Sequence, residues 1–254
     1  MTQTVTSVAD WKRIRAEFDE TGKSLGFVPT MGALHAGHTS LVERSLEENA
    51  KTVVSIFVNP TQFNDATDLK NYPRTLDADI QALERLGVDC AFVPDRGTVY
   101  PDTYRYRLLE GDVSRSLCGA HRPGHFDAVL TIVMRLFNII HPHRAYFGEK
   151  DYQQYRLIKD MVRAFFMDVE IRQCPIVRDA DGVALSSRNT LLTAKGRNLA
   201  AQFARILRQG RSTEAVRSQL EERDIEVDYV EDWSGRRLAA VVIDDVRLID
   251  NIEI

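Results

Sequence analysis

No stretch of this 254-residue chain approaches the ~20 consecutive apolar residues that a helix needs to cross a bilayer, so no membrane partner is expected. Cysteine is scarce. Cys90, Cys118 and Cys174 are odd in number and scattered, which excludes a disulfide framework and fits reduced thiols in a cytoplasm. Neither sign of charge dominates: 33 Lys and Arg against 37 Asp and Glu leave a net charge of −4, so no basic face for nucleic acid is expected. Asp10, Lys12, Arg13, Arg15, Glu17 and Asp19 interrupt the first twenty residues, unlike a signal peptide. Internal repeats and low-complexity tracts are missing. So are a Walker Gly-x4-Gly-Lys-Ser/Thr string and any apparent Ser–His–Asp arrangement.

What is present begins at Phe27-Val28-Pro29-Thr30-Met31-Gly32-Ala33-Leu34-His35-Ala36-Gly37-His38. The apolar run from Leu25 to Val28 reads as a short buried strand, broken by Pro29 and Gly32. An amphipathic segment from His38 to about Asn49 reads as a helix. A strand delivered to the positive end of a helix is a place where unpaired N–H groups attract phosphate. His35 and His38 straddle that start, and Gly37 leaves room for a ligand against the backbone. A His pair alone is also a metal-site pattern, but zinc requires three or four ligands and no cluster stands nearby.

The rest of the chain alternates. Val8, Trp11, Ile14 and Phe18 predict a helix ending near Gly22, and residues 52–58 predict a central strand stopped by Asn59-Pro60. A polar loop leads to Tyr72-Pro73-Arg74. Leu76, Ile80, Leu83 and Leu86 mark a helix closed by Gly87, and residues 88–93 a third strand. Residues 104–108 alternate like an edge strand. Val129, Ile132, Val133, Leu136, Phe137 and Ile140 mark a helix, then Ala145-Tyr146-Phe147 a fourth strand. Tyr155, Ile158, Met161, Val162 and Phe165 mark the next helix, before a strand near Val169-Glu170-Ile171. This rhythm predicts an α/β fold with a doubly wound parallel sheet. Beyond Cys174-Pro175 the rhythm changes to a loop, a helix over residues 193–209, a short helix and two strands (residues 225–230 and 238–243). The expected division is residues 1–175 and a small α+β domain of residues 176–254.

In an open parallel sheet, ligands bind beyond the carboxyl ends of the strands. Three polar clusters follow predicted strands: residues 30–38, 59–63 and 148–154. Together they offer the imidazoles of His35 and His38, the ammonium of Lys150, and the amides of Asn59, Gln62, Gln153 and Gln154. Such a set suits attack on the α-phosphorus of a nucleotide, where fixed positive charge supports the charge that builds on phosphoryl oxygens. Arg188, on a Ser-Ser-Arg loop, is placed to close over the outer phosphates. Plainer readings stand beside these. Lys150 lies in a charge run with Glu149 and Asp151, and Asn59-Pro60 and residues 178–189 fit ordinary turns. Asp77 and Asp79 read as first-turn acids of a helix. His121, His125, His141 and His143 read as surface or helix-end histidines.

Pro29 through His38 resembles the pantothenate synthetase (pantoate–β-alanine ligase) family of the HxGH nucleotidyltransferase superfamily. The likeness continues through Ser55-Ile56-Phe57-Val58-Asn59-Pro60-Thr61-Gln62-Phe63, Tyr72-Pro73-Arg74-Thr75, Arg122-Pro123-Gly124-His125-Phe126 and Phe147-Gly148-Glu149-Lys150-Asp151-Tyr152-Gln153-Gln154. It ends with Leu185-Ser186-Ser187-Arg188-Asn189 and Arg247-Leu248-Ile249-Asp250-Asn251. The resemblance implies a Rossmann-like domain that binds nucleotide and pantoate, and a small lid. It implies a cytoplasmic homodimer in which ATP, with Mg²⁺ on its phosphates, adenylates pantoate before β-alanine displaces AMP. Carried over by position, it sets Met31, Gly32, Ala33, Leu34, His35, Ala36, Gly37 and His38 against ATP, with His38 the acid on the leaving phosphate. Gly148, Glu149, Lys150, Asp151, Leu185, Ser186, Ser187 and Arg188 become further nucleotide contacts, and Val177 lies at the adenine. The expected catalytic set is His38, His35, Lys150 and Arg188. Gln62 and Gln154 would hold pantoate, with Gln62 also facing β-alanine, and Asn59 and Arg122 complete the substrate set; no residue is assigned as a metal ligand. Leu185 stands where a Met is frequent, Asp127-Ala128 departs from the common pattern, and the segment after Asn189 is expected to be short. Two alternatives fit the residues: a related nucleotidyltransferase acting on another small acid or phosphate, and a nucleotide-binding module without turnover.

Overall fold

Short runs rich in β-branched and aromatic residues form the strands, and the amphipathic runs between them form helices. The computed structural model describes residues 1–254. The chain runs β1 (Gln3–Val5), α1 (Val8–Glu20), β2 (Leu25–Thr30), α2 (Ala36–Glu48), β3 (Lys51–Ile56), α3 (Ala66–Asn71), α4 (Leu76–Leu86) and β4 (Cys90–Phe92). It continues through α5 (Arg96–Val99), α6 (Cys118–His121), α7 (His125–Ile140), β5 (Arg144–Gly148), α8 (Tyr152–Ala164) and β6 (Glu170–Cys174). Last come α9 (Ala194–Gln209), α10 (Thr213–Glu221), β7 (Glu226–Trp233), β8 (Arg236–Ile243) and β9 (Val246–Glu253). No helix is long and apolar enough to cross a membrane. The chain divides into two compact units: Met1–Gly148 with Gln153–Cys174, and Glu149–Tyr152 with Pro175–Ile254.

The first unit holds a six-stranded sheet in the order β1-β4-β3-β2-β5-β6, and every neighbouring pair is parallel. From β2 the chain winds outward through β3 and β4, then returns to place β5 on the other side of β2. The strand order therefore reverses between β2 and β5, where a crevice opens at the carboxyl ends of the strands. Alternation along β2 assigns the two faces. Val28 packs with Leu41 and Val42 of α2 and Leu83 of α4, whereas Phe27 meets Phe137 of α7 edge-on, with ring centroids 6.3 Å apart. Eleven of the sixteen residues of α7 are buried, as expected of a helix that is hydrophobic nearly all round. The indole N–H of Trp11 ties α1 to it by donating to the Ile139 carbonyl at 2.8 Å.

In the second unit β7, β8 and β9 form an antiparallel meander. Phe203, Leu207, Val216 and Leu220 from α9 and α10 pack with Val230, Ala239 and Val241 of that sheet. Two-residue turns join the strands, each with both residues at positive φ: Ser234 and Gly235 (53° and 78°), then Asp244 and Asp245 (53° and 59°). That twist matches the twist of paired strands.

Several expectations are corrected. Pro29 does not end β2; Pro29 and Thr30 pair with Ser55 and Ile56. Residues 104–108 form no strand, because Thr103 and Tyr104 sit at positive φ and nearby groups serve the backbone instead. The Tyr106 N–H donates to the Asp102 carboxylate at 2.8 Å, and Arg135 donates to the Tyr106 carbonyl at 2.9 Å. The polar loop before Tyr72 contains α3, and β1 and β9 were not foreseen. Phe165 does not join the core stripe of α8: it is exposed, as is Phe166, where the helix has given way to a turn at positive φ. Glu149–Tyr152 groups with Pro175–Ile254 rather than with the segments on either side of it.

Candidate active site

At the carboxyl end of β2 the Thr30 hydroxyl donates to the Ser55 carbonyl of β3 (2.7 Å) and accepts from the Gly32 N–H (3.2 Å). The chain then turns through two positive-φ residues, Gly32 (78°) and Ala33 (51°). Glycine is required at the first for a second reason: a Cβ there would lie 3.0 Å from Asp79 Oδ2 and 3.1 Å from Ile56 Cγ2. The Asp79 carboxylate, 3% exposed, accepts the Ala33 N–H at 2.9 Å and the Leu34 N–H at 2.8 Å, together with the Thr75 hydroxyl at 3.2 Å. Asp79 is thus more than a first-turn acid of α4. It binds two successive loop amides and fixes the path from β2 to α2.

His35 caps α2. Its backbone is extended (φ −133°, ψ 174°) and its Nδ1 accepts the Gly37 N–H at 3.1 Å. An amide N–H can only donate, so Nδ1 is the acceptor and the neutral ring carries its proton on Nε2. The His38 ring lies beside it, with centroids 4.1 Å apart and planes inclined by 34°. The two imidazoles therefore form one close, tilted pair at the positive end of α2. Gly26 allows α2 to seat this closely, because a Cβ there would come within 2.1 Å of Ser45 Oγ.

The second cluster follows β3. Asn59 is 1% exposed. Its Oδ1 accepts the hydroxyls of Tyr100 and Thr61, each at 2.9 Å, and its Nδ2 donates to Gln62 Oε1 at 3.1 Å. Gln62 Nε2 faces the Met31 sulfur at 3.2 Å, which joins this cluster to the first. Gln62 is also held by its main chain: its carbonyl accepts from His125 Nδ1 (2.8 Å) and Arg122 (3.2 Å). His125 Nε2 lies 3.1 Å from the Arg122 guanidinium. A guanidinium only donates and a carbonyl only accepts, so His125 is neutral here with its proton on Nδ1. His125 opens α7, as a helix-end histidine would, but it is buried rather than on the surface. His143, although exposed, accepts the Leu25 N–H through Nδ1 at 2.9 Å.

The third expected cluster is divided. Gly148 ends β5 in the first unit, and Gln154 is half-buried on α8. Gln153 turns inward and is 3% exposed. It accepts the Cys118 N–H at 3.0 Å and donates to the Val113 and Ser116 carbonyls at 2.8 Å each, so it braces the segment before α6 rather than facing a ligand. Glu149, Lys150 and Asp151 form a single 3₁₀ turn that belongs to the second unit. There Asn251 Nδ2 donates to the carbonyls of Glu149 (2.9 Å) and Lys150 (3.1 Å). Arg236, 6% exposed, spans Asn251 Oδ1 (2.5 Å) and the Glu149 carboxylate (3.3 Å). The β8 and β9 strands thereby set the backbone that carries Lys150.

Also in the second unit, the Leu185 N–H donates to the Val177 carbonyl at 3.0 Å, pairing two residues assigned to the nucleotide. Arg178 clips the base of this strap with two hydrogen bonds to Asp250, at 2.6 and 2.9 Å. Ser186 caps the following 3₁₀ turn by accepting the Arg188 N–H at 3.3 Å. Sequence reasoning missed Asp79, Tyr100, His125 and Arg236. For Asp79 the only local signal was a second acid in the first turn of α4; the others act across long sequence separations that periodicity does not report.

A family described as pantoate-beta-alanine ligase matches residues 3–253. The pantothenate synthetase of Legionella pneumophila (strain Corby) is 52% identical over 242 residues, 95% of this chain and 96% of that protein. That of Coxiella burnetii (strain RSA 493) is 49% identical over 252 residues, 99% and 97% of the two. The crystal structure of pantoate-beta-alanine ligase from Francisella tularensis, complexed with beta-gamma ATP and beta-alanine, superposes with a TM-score of 0.95 at 39% identity, covering 100% of this chain and 98% of that one.

Proposed function

The chain belongs to the pantoate–β-alanine ligase family, and from that premise we propose that it joins pantoate to β-alanine through a pantoyl adenylate. In the first step a pantoate carboxylate oxygen bonds to the α-phosphorus of ATP. The bond from that phosphorus to the bridging oxygen breaks, and pyrophosphate leaves with the electron pair. In the second step the neutral amine of β-alanine bonds to the acyl carbon, the bond to the AMP oxygen breaks, and the amine proton passes to solvent. Neither step uses a protein nucleophile. What the enzyme supplies is position and fixed charge where phosphoryl oxygens become more negative.

The observation that carries this reading is the close imidazole pair at the mouth of α2, beside the point where the strand order reverses. His38 acts on the leaving phosphate, and His35 presents its Nε2 proton from a ring fixed by the Gly37 N–H. Gln62 and Gln154 orient pantoate with neutral amides, which leave its carboxylate more nucleophilic than an arginine pair would. Asn59 and Arg122 hold Gln62 in place. Lys150, Val177, Leu185, Ser187 and Arg188 are nucleotide contacts on their sequence pattern. No group of three or more His, Cys, Asp or Glu stands together to cage a metal. Magnesium, which keeps several waters and is commonly bound through substrate phosphates, enters in this proposal as part of the nucleotide substrate. The family pattern extends to a homodimer in the cytoplasm, and three buried free cysteines are compatible with a reducing compartment.

Incubating the chain with ATP, Mg²⁺, pantoate and β-alanine tests the reading. AMP and pantothenate are expected in equal amounts, with no AMP when either acid is left out. Release of ADP, or turnover indifferent to pantoate, contradicts it.

A further inference from the structure

We propose that Tyr100 is a positioning residue for the acyl substrate: its buried hydroxyl fixes, through the Asn59 amide, which end of the Gln62 amide faces the ligand. Tyr100 follows α5 and is 3% exposed. Its ring is confined by the Arg135 guanidinium 4.9 Å from its centroid, the Tyr104 ring at 5.2 Å and the Phe57 ring at 6.3 Å. Arg135 is itself pinned by two hydrogen bonds to Asp102, at 2.7 and 2.9 Å. The hydroxyl has a fixed address.

Hydrogen-bond accounting decides the polarity of the relay. Asn59 Oδ1 lies 2.9 Å from both the Tyr100 and Thr61 hydroxyls, which are 3.3 Å from each other. With the amide oxygen between them, both hydroxyl hydrogens find an acceptor. Turned round, the amide would bring two more hydrogens to the same place. Only one hydroxyl could then donate to the other, and the remaining hydrogen would be stranded at a costly site. Asn59 Nδ2 must therefore point at Gln62, whose Oε1 accepts it at 3.1 Å. That leaves Gln62 Nε2 as the outward end, against a Met31 sulfur that is a weak acceptor. A carboxylate can only accept, so this is the orientation an acid substrate requires; the reverse would set an amide oxygen against an anion. The relay rests on the assignment of Gln62 to pantoate in the proposed function.

The test uses pantoate-dependent ATP–pyrophosphate exchange by the full chain, with Tyr100→Phe, Asn59→Ala and the double variant. Tyr100→Phe keeps the ring and removes one hydroxyl. A pantoate KM about tenfold higher is expected, with the ATP KM within about twofold, and the substitution should add less than about twofold on the Asn59→Ala background. An unchanged pantoate KM, an equal rise in both KM values, or the same fold rise on Asn59→Ala overturns the relay. Should Tyr100→Phe not fold, Thr61→Val removes the other hydroxyl on Oδ1; a selective rise in pantoate KM supports the relay and an unchanged one overturns it. Wild-type chain without exchange overturns the functional reading itself, whereas active wild type with an unmoved Tyr100→Phe overturns the relay alone.

Discussion

At the mouth of α2, His38 is the acid of the proposed reaction, and Asp79 holds the loop that leads to it. Replacing His38 by Ala should lower kcat by about 10²-fold or more while ATP affinity changes little, because general-acid help is realised in the transition state. Single-turnover kinetics with equilibrium ATP binding checks this, and unaltered turnover removes His38 from the chemistry. Asp79→Ala strands two loop N–H groups and should cost about 3 kcal/mol in urea unfolding, with weaker ATP binding. Asp77→Ala, at an exposed site on the same turn, should stay within about 0.5 kcal/mol. Equal behaviour of the two variants would contradict the role given to Asp79. The histidines and Gly32 were legible because their chemistry lies within eight consecutive residues. Asp79 meets Ala33 from 46 positions away and His125 meets Gln62 from 63, and no local pattern carries that information.

The same contrast holds for elements. Amphipathic spacing marked α1, α4 and α7 well, and Gly87 ends α4 in the left-handed conformation (φ 82°) that a glycine favours. Residues 104–108 have a strand's alternation, but side chains from Asp102 and Arg135 claim their backbone groups. β9 breaks the apolar pattern at its buried Asp250 and Asn251, which instead hold Arg178 and the turn that carries Lys150. At the other end of α2, Glu48 accepts from Arg44 at 2.9 Å and from the Tyr146 hydroxyl at 2.9 Å. The hydrogen bond from Arg44 leads in holding the Glu48 carboxyl below the ordinary value of 4.5. A depressed pKa stabilises the fold above the ordinary value, and that contribution fades as pH falls through the native one. Thermal unfolding from pH 7 to 3 should therefore show Tm falling below about pH 4.5. Glu48→Gln should show a smaller fall over that interval; an identical profile would contradict the assignment.

For the whole molecule, the alternation of strands and helices was enough to predict the parallel sheet, in which β3, β2 and β5 are neighbours. The sequence pattern did not reveal that Glu149–Tyr152 groups with the later segment, because that depends on Asn251 and Arg236 about a hundred residues away. In the proposed reaction this chain activates pantoate by adenylation before the amine arrives. Exchange of labelled pyrophosphate into ATP without β-alanine measures that step. Exchange that depends on pantoate is expected; no exchange, or exchange driven by another acid and not by pantoate, would contradict it.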